Sequence, residues 1–185
     1  MRYIFCAVLA MILIVSTVQT GQAEVKEFKC VDVESENVQK TNIRRMRAAV
    51  VVSEAHLLSK TDLIDTAKAA ALDLFKQSKM QVIVVKLYPS EDYAEFFPQV
   101  LDMTYSPDSI GWNGEPASTW VAYIAEKMPT EEEMFRIRTW ILEQAKNKQT
   151  IIDRKEDLAK KMKIPADDVY FPIFKLVPCL METNG

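Results

Sequence analysis

An α+β domain is the fold class this sequence predicts: a mixed, mostly antiparallel sheet of five or six strands, one β-α-β crossover helix and two C-terminal helices. Three observations carry it. Leu63, Ala67, Ala70, Ala71 and Leu74 recur at the three-and-four spacing that lines one face of a helix, with Ile64 and Phe75 widening the stripe. Apolar runs at Met46–Ser53 and Gln81–Leu87 flank that helix, and such continuous runs mark strands covered on both faces. Two strands joined by a helix of this length are most simply parallel neighbours.

From the N-terminus, Arg2 precedes an apolar run from Tyr3 to Val18, and Gly21-Gln22-Ala23 supplies small residues at the positions a signal peptidase reads. The reading is a secretory signal peptide over 1–23, cleaved after Ala23, with an uncleaved membrane anchor as the alternative. One domain then spans 24–185, in the periplasm or outside the cell. Within it Val25–Val33 reads as a first strand, and the polar stretch Glu34–Thr41 as the turn into the strand at 46–53.

Ser59 or Thr61 can cap the crossover helix, with Asp62 and Asp65 at its positive end and Lys76 and Lys79 at the other. After the next strand, Tyr93, Phe96 and Phe97 form an aromatic cluster that fits a short helical turn over the core. Val100–Tyr105 and Ser118–Glu126 read as a hairpin. Thr130 and Glu133 have capping-box spacing ahead of an inward stripe of Met134, Ile137, Trp140, Ile141 and Ala145. Asp153 with Glu156 opens a shorter helix that Pro165 must end. Tyr170–Val177, with Pro172 inside it and Pro178 closing it, suits an edge strand.

Composition excludes several functions. Loss of Arg2 with the leader moves the formal charge from -3 to about -4, a poor match for nucleic acid or, once the signal is gone, an anionic membrane. Arg44, Arg45 and Arg47 are the only dense basic cluster, and a solvated strand edge explains them. Cys30 and Cys179 remain after export, and an oxidising compartment predicts a disulfide between the first and last strands. Two cysteines and His56 cannot complete a structural zinc site, so no metal is expected. With Gly111 and Gly114 the only glycines inside the exported chain, neither a P-loop nor a dinucleotide fingerprint can form, and no cofactor is expected. His56, leading into the crossover helix, reads as a surface or capping residue.

The segment Thr104–Ala117 holds what chemistry is left. Tyr105, Asp108, Trp112, Asn113 and Glu115, with Trp120 at the exit, can grip a polar ligand by stacking and hydrogen bonding. Pro107-Asp108 and Asn113-Gly114 are equally strong turn signals, and Trp112 can pin the segment to the sheet. Asp108 and Glu115 form the one carboxylate pair for an acid/base reading.

Tyr105-Ser106-Pro107-Asp108, Gly111-Trp112, Gly114 and Trp120, with Ile164–Val169 before the last strand, resemble an uncharacterised family of small bacterial domains of unknown function. The resemblance implies a bacterial, self-contained α/β domain and no catalytic residue, ligand or mechanism. The expected function is therefore a non-catalytic periplasmic or secreted module that binds an unknown ligand or envelope protein. A small envelope hydrolase using Asp108 and Glu115 is one alternative. A homo-oligomer that covers the second apolar sheet face is the other.

Overall fold

The computed structural model describes residues 24–38, 42–94, 99–147, 155–169 and 174–182. Ten elements follow in order: β1 Lys29–Val38, β2 Ile43–Val51, α1 Lys60–Ser78, β3 Val82–Tyr88, α2 Glu91–Ala94, β4 Leu101–Tyr105, β5 Trp120–Ala125, α3 Glu131–Asn147, α4 Lys155–Met162 and β6 Leu176–Glu182. The strands form one six-stranded sheet whose spatial order is the chain order, β1 to β6. Only β2 and β3 run parallel, with Arg45 opposite Val82 and Val51 opposite Tyr88. Every other neighbouring pair is antiparallel. The α+β architecture with a single crossover helix is as expected.

The crossover helix starts where its cap residue predicts. Ser59 Oγ accepts from Asp62 N at 3.1 Å, and Lys79, at φ 55°, closes the far end by donating its N–H to Phe75 O at 2.8 Å. Leu63, Ala67, Ala70 and Ala71 are fully buried against Ala48, Val50, Ile83, Val85, Leu101, Met103, Ala122 and Ile124, the inward-facing residues of the four strands β2 to β5. Alanine at three of the four helix positions lets the helix axis lie close to the strands. The incoming chain at Glu24 is laid along this helix, through Glu24 N to Asp62 Oδ1 at 2.9 Å and Lys26 N to Thr66 Oγ1 at 3.0 Å.

The opposite sheet face is covered at one end. Tyr88, Tyr93, Ile137 and Ile141 form a second buried cluster over Ala49 and Val51, so α2 and α3 close the C-terminal ends of β2 and β3. Tyr93 donates its hydroxyl to Met134 O at 2.7 Å, and burial pushes that phenol well above its ordinary range. The expected capping box at α3 is present: Thr130 Oγ1 accepts from Glu133 N at 3.2 Å, and Glu133 Oε2 from Thr130 N at 2.8 Å. His56 ties the connection after β2 to the same helix, its Nε2 lying 3.0 Å from Glu131 Oε1.

Several expectations need correction. The first strand extends to Val38, so Glu34 and its neighbours pair with β2 instead of turning. The last strand is Leu176–Glu182, further along than expected; Pro178 sits inside it, which an edge strand allows. Phe96, Phe97, Asp153 and Tyr170–Ile173 lie outside the described residues. Arg45 and Arg47 are not on an edge, because β1 pairs along the outer side of β2. The Cys30–Cys179 disulfide is absent, and both thiols are free. Cys30 is in β1 and Cys179 in β6, the two opposite edges of the sheet. Five inter-strand steps place them on the order of 24 Å apart, against a reach of about 7 Å for a disulfide.

Candidate functional site

The hairpin tip between β4 and β5 is built from its own hydrogen bonds. Ser106 N donates to Thr119 O at 2.8 Å, Ala117 N to Ser109 O at 2.9 Å, and Gly111 N to Glu115 O at 2.6 Å. Ser106 Oγ donates to Ile110 O and accepts from Ile110 N, at 2.7 and 2.9 Å. Gly114 takes φ +98°, which side chains resist, and an added Cβ would lie 3.0 Å from Ile43 Cδ1. At Gly111 the missing Cβ leaves the volume that the Glu115 side chain occupies. The tip is thus a closed turn system packed back on the sheet.

Its aromatic residues go to different faces. Tyr105 and Trp120 stack at 4.1 Å between centroids, with Phe75 of α1 edge-on to Tyr105 at 5.5 Å, so this pair belongs to the α1 layer. Trp112 lies on the other face, its ring 4.8 Å from the Arg45 guanidinium carbon and 4.4 Å from that of Arg47. Arg45, only 3% exposed, also donates through Nη1 to the carbonyl of Trp112. Asn113 Oδ1 lies 3.5 Å from the same nitrogen. Glu115 folds back to accept from Asn113 N at 3.1 Å, while Asp108 is exposed. The six residues singled out in sequence therefore meet in two groups, Tyr105 with Trp120 and Trp112 with Asn113 and Glu115, and Asp108 joins neither.

The most chemically unusual surface is elsewhere, on the face away from α1. Strand register sets Asp32 of β1 opposite Ala49 of β2, and Ala49 opposite Lys86 of β3. The next row carries Glu34 and Arg47. Around them is a cavity of about 120 Å3 lined by Asp32, Glu34, Arg47, Lys86, Tyr88 and Ala94. Asp102 of β4 stands beyond Lys86 in the same row. Burial raises its carboxyl above the ordinary carboxylate range, against the pull of Lys86, a hydrogen bond from Gln99 at 2.9 Å, and Arg47. Burial, with Asp102 nearby, raises the Tyr88 phenol as well. Among the described residues no ion pair joins Asp32, Glu34 and Lys86 to one another. Charged groups gathered around a concavity, with a perturbed carboxyl beside them, are where ligands bind.

This site was missed in the sequence because each charged residue is a single interruption of an apolar strand. The usable signal was there: Lys86 within Val82–Tyr88 and Asp102 within Leu101–Tyr105 break runs whose other members on that face are buried or half-buried. Asp32 and Glu34 alternate along β1. Among the described residues no group of three or more His, Cys, Asp or Glu side chains is placed so that it could hold a metal ion.

The family model for a domain of unknown function, DUF4875, matches residues 28–174. The chain belongs to this family. A crystal structure of a DUF487 family protein from Desulfovibrio piger superimposes with a TM-score of 0.65 at 22% sequence identity, covering 84% of this chain and 96% of that one. At that identity the likeness is one of fold. No curated protein matches the chain. The DUF4875 match spans β1 through α4 entire, and so includes the crossover unit, the hairpin tip and Asp32, Glu34, Arg47, Lys86 and Asp102.

Proposed function

We propose that this DUF4875 domain is an exported, non-catalytic binding module whose ligand is small, polar and charged and sits in the cavity between β1, β2, β3 and α2. The observation that carries the reading is one concavity with Asp32 and Glu34 of β1 on one side and Lys86 of β3, next to Asp102 of β4, on the other. The concavity, about 120 Å3 and open to solvent past the exposed Asp32 and Glu34, suits a small ligand of about five non-hydrogen atoms. At the ceiling of about 1.5 kcal/mol per atom, the tightest such complex has a Kd in the low micromolar range.

Export is supported by the sequence over 1–23. Among the described residues no helix is long and apolar enough to cross a membrane. N-terminal sequencing of the protein recovered from the periplasm or medium is expected to begin at Glu24, and a retained Met1 would argue for an anchor.

Binding is tested by thermal unfolding against a panel of small anions, cations and zwitterions. Ligand at 100 times Kd adds about 2.7 kcal/mol, a rise in Tm of about 5–10 °C. The rise is expected in the wild type and lost in Lys86→Met. Equal stabilisation of both proteins would remove the cavity from the argument.

A second reading rests on a different place. Tyr123 and Met181, 42% and 71% exposed, line an open groove of about 430 Å3 with Pro116 and Val121 on the same sheet face. A second copy laid against that groove would cover it, and sedimentation at several concentrations distinguishes monomer from dimer.

A further inference from the structure

The outward side of α3 carries a pattern that matches itself when reversed. Glu131, Phe135, Arg138, Leu142 and Lys146 recur along Glu131–Asn147 at helical spacing. At 3.6 residues per turn they fall within a stripe about 80° wide. The core-facing side is a separate one: Ile137 and Ile141 are buried in the cluster of Tyr88 and Tyr93, with Met134 and Trp140 packed against it. A third side meets α4, where Glu143 pairs with Lys161. Phe135 and Leu142 take part in neither, and are 58% and 45% exposed. A single exposed apolar side chain needs no explanation, but two in line on one helix, with opposite charges beyond them at the two ends, describe a surface.

The occupant that complements this stripe is the same stripe of a second copy, run antiparallel. A two-fold axis between Arg138 and Thr139 sets Phe135 of each helix against Leu142 of the other, and Glu131 of each against Lys146 of the other. The apolar pairs are then closed at both ends by opposite charges. The acid-rich first turn, Glu131–Glu133, also lies beside the negative dipole end of its neighbour only through that lysine-bearing last turn, which is why Lys146 matters to the pairing. A parallel pairing sets Glu131–Glu133 against its own like and matches no charge. Glu131 is free to serve, because its side chain is largely exposed and His56 meets only Oε1. Arg138, the one charge close to the axis, is drawn aside, its Nε lying 3.8 Å from Asp92 Oδ2 of α2.

We propose that α3 pairs antiparallel with α3 of a second copy, in a symmetric dimer whose contact is Phe135 on Leu142 flanked by Glu131 on Lys146. The surface shares no residue with the cavity or with the groove of Tyr123 and Met181. Two exposed apolar side chains per copy cover far less than the standard interface of about 800 Å2 per partner, so the association is of the transient kind.

The test is sedimentation equilibrium of the chain from Glu24 onward, run from about 10 μM to about 1 mM, where such interfaces associate. A monomer–dimer equilibrium is expected. The Phe135→Ser, Leu142→Ser double variant is expected to raise the dimer Kd about tenfold or more. Glu131→Lys sets lysine against Lys146 and is expected to raise it about threefold or more; adding Lys146→Glu to the same chain should return it toward the wild-type value. Lys146→Glu alone sets acid against acid and gives the same loss without touching the His56 contact, so it stands in should Glu131→Lys unfold. Met181→Ser, in the other groove, should leave Kd unchanged. Far-UV circular dichroism and Tm confirm that each variant folds. A monomer throughout that range overturns the proposal, as does a dimer that keeps its Kd in the Phe135→Ser, Leu142→Ser variant or loses association in Met181→Ser. A loss in Glu131→Lys that Lys146→Glu fails to reverse overturns the antiparallel register and the pairing with it.

Discussion

Truncating Trp112 to alanine removes the ring that two guanidinium groups face, Arg45 at 4.8 Å and Arg47 at 4.4 Å. Arg45 is 3% exposed, so its contact is desolvated and is worth about 2 kcal/mol, while the more open Arg47 adds about 0.5–1 kcal/mol. The half-buried indole also loses part of the 3–5 kcal/mol typical of a fully buried aromatic. The contributions overlap, because the same ring makes them all, and a net loss of about 3 kcal/mol is expected. In a domain of this size that lowers Tm by about 6–12 °C. Urea unfolding of the wild type, Trp112→Ala, Trp112→Phe and Trp112→Leu measures it. Phenylalanine keeps a π face and is expected to retain most of the stability; leucine keeps apolar area without the quadrupole and is expected to fall between phenylalanine and alanine. A loss below about 1 kcal/mol for alanine, or equal values for phenylalanine and leucine, would refute the claim that cation–π contacts hold the hairpin tip to the sheet.

Three further outcomes are expected. Burial raises the Asp102 carboxyl in the folded state, so the folded protein binds that proton more tightly than the unfolded chain. The stability it costs is then absent below the unfolded value near 3.8 and develops as pH rises through the folded value. Asp102→Asn should accordingly gain on the wild type at pH 7 and lose that gain below about pH 4, as chemical denaturation at both pH values will show; a gain independent of pH would exclude this cause. Ser59→Ala removes the oxygen that accepts from Asp62 N and should cost about 1 kcal/mol in urea unfolding. Thiol titration of the unfolded, unreduced chain from Glu24 onward should find Cys30 and Cys179 both reactive; a result of no free thiols would contradict the strand order.

The parts of the fold legible in sequence are those specified by local period. The stripe from Leu63 to Leu74 and the run at Val82–Val85 each carry their meaning within a few residues, and the crossover unit follows from their adjacency. What was illegible depends on which strands lie side by side. Cys30 and Cys179 invite pairing in a linear sequence, yet the sheet runs in chain order from one edge to the other and leaves them at opposite margins. Arg45 and Arg47 look like an exposed edge until β1 is paired beyond them. The row of Asp32, Ala49, Lys86 and Asp102 draws one residue from each of four strands, so no window of the sequence contains it. At the hairpin tip the turn signals were readable, but the separation of Trp112 from Trp120 onto opposite faces is set by the twist of a self-bonded turn and has no local signature.

A sheet whose spatial order repeats its chain order has a kinetic corollary. Each strand pairs with the strand before or after it along the polypeptide, and the steps over α1 and over α3 and α4 are the ones that span long intervals. Contacts of low sequence separation close cheaply in loop entropy, which favours early pairing of β1 with β2 and of β4 with β5. A polypeptide made amino end first can pair β1 through β5 in turn, and β6 alone waits for α3 and α4 to be complete.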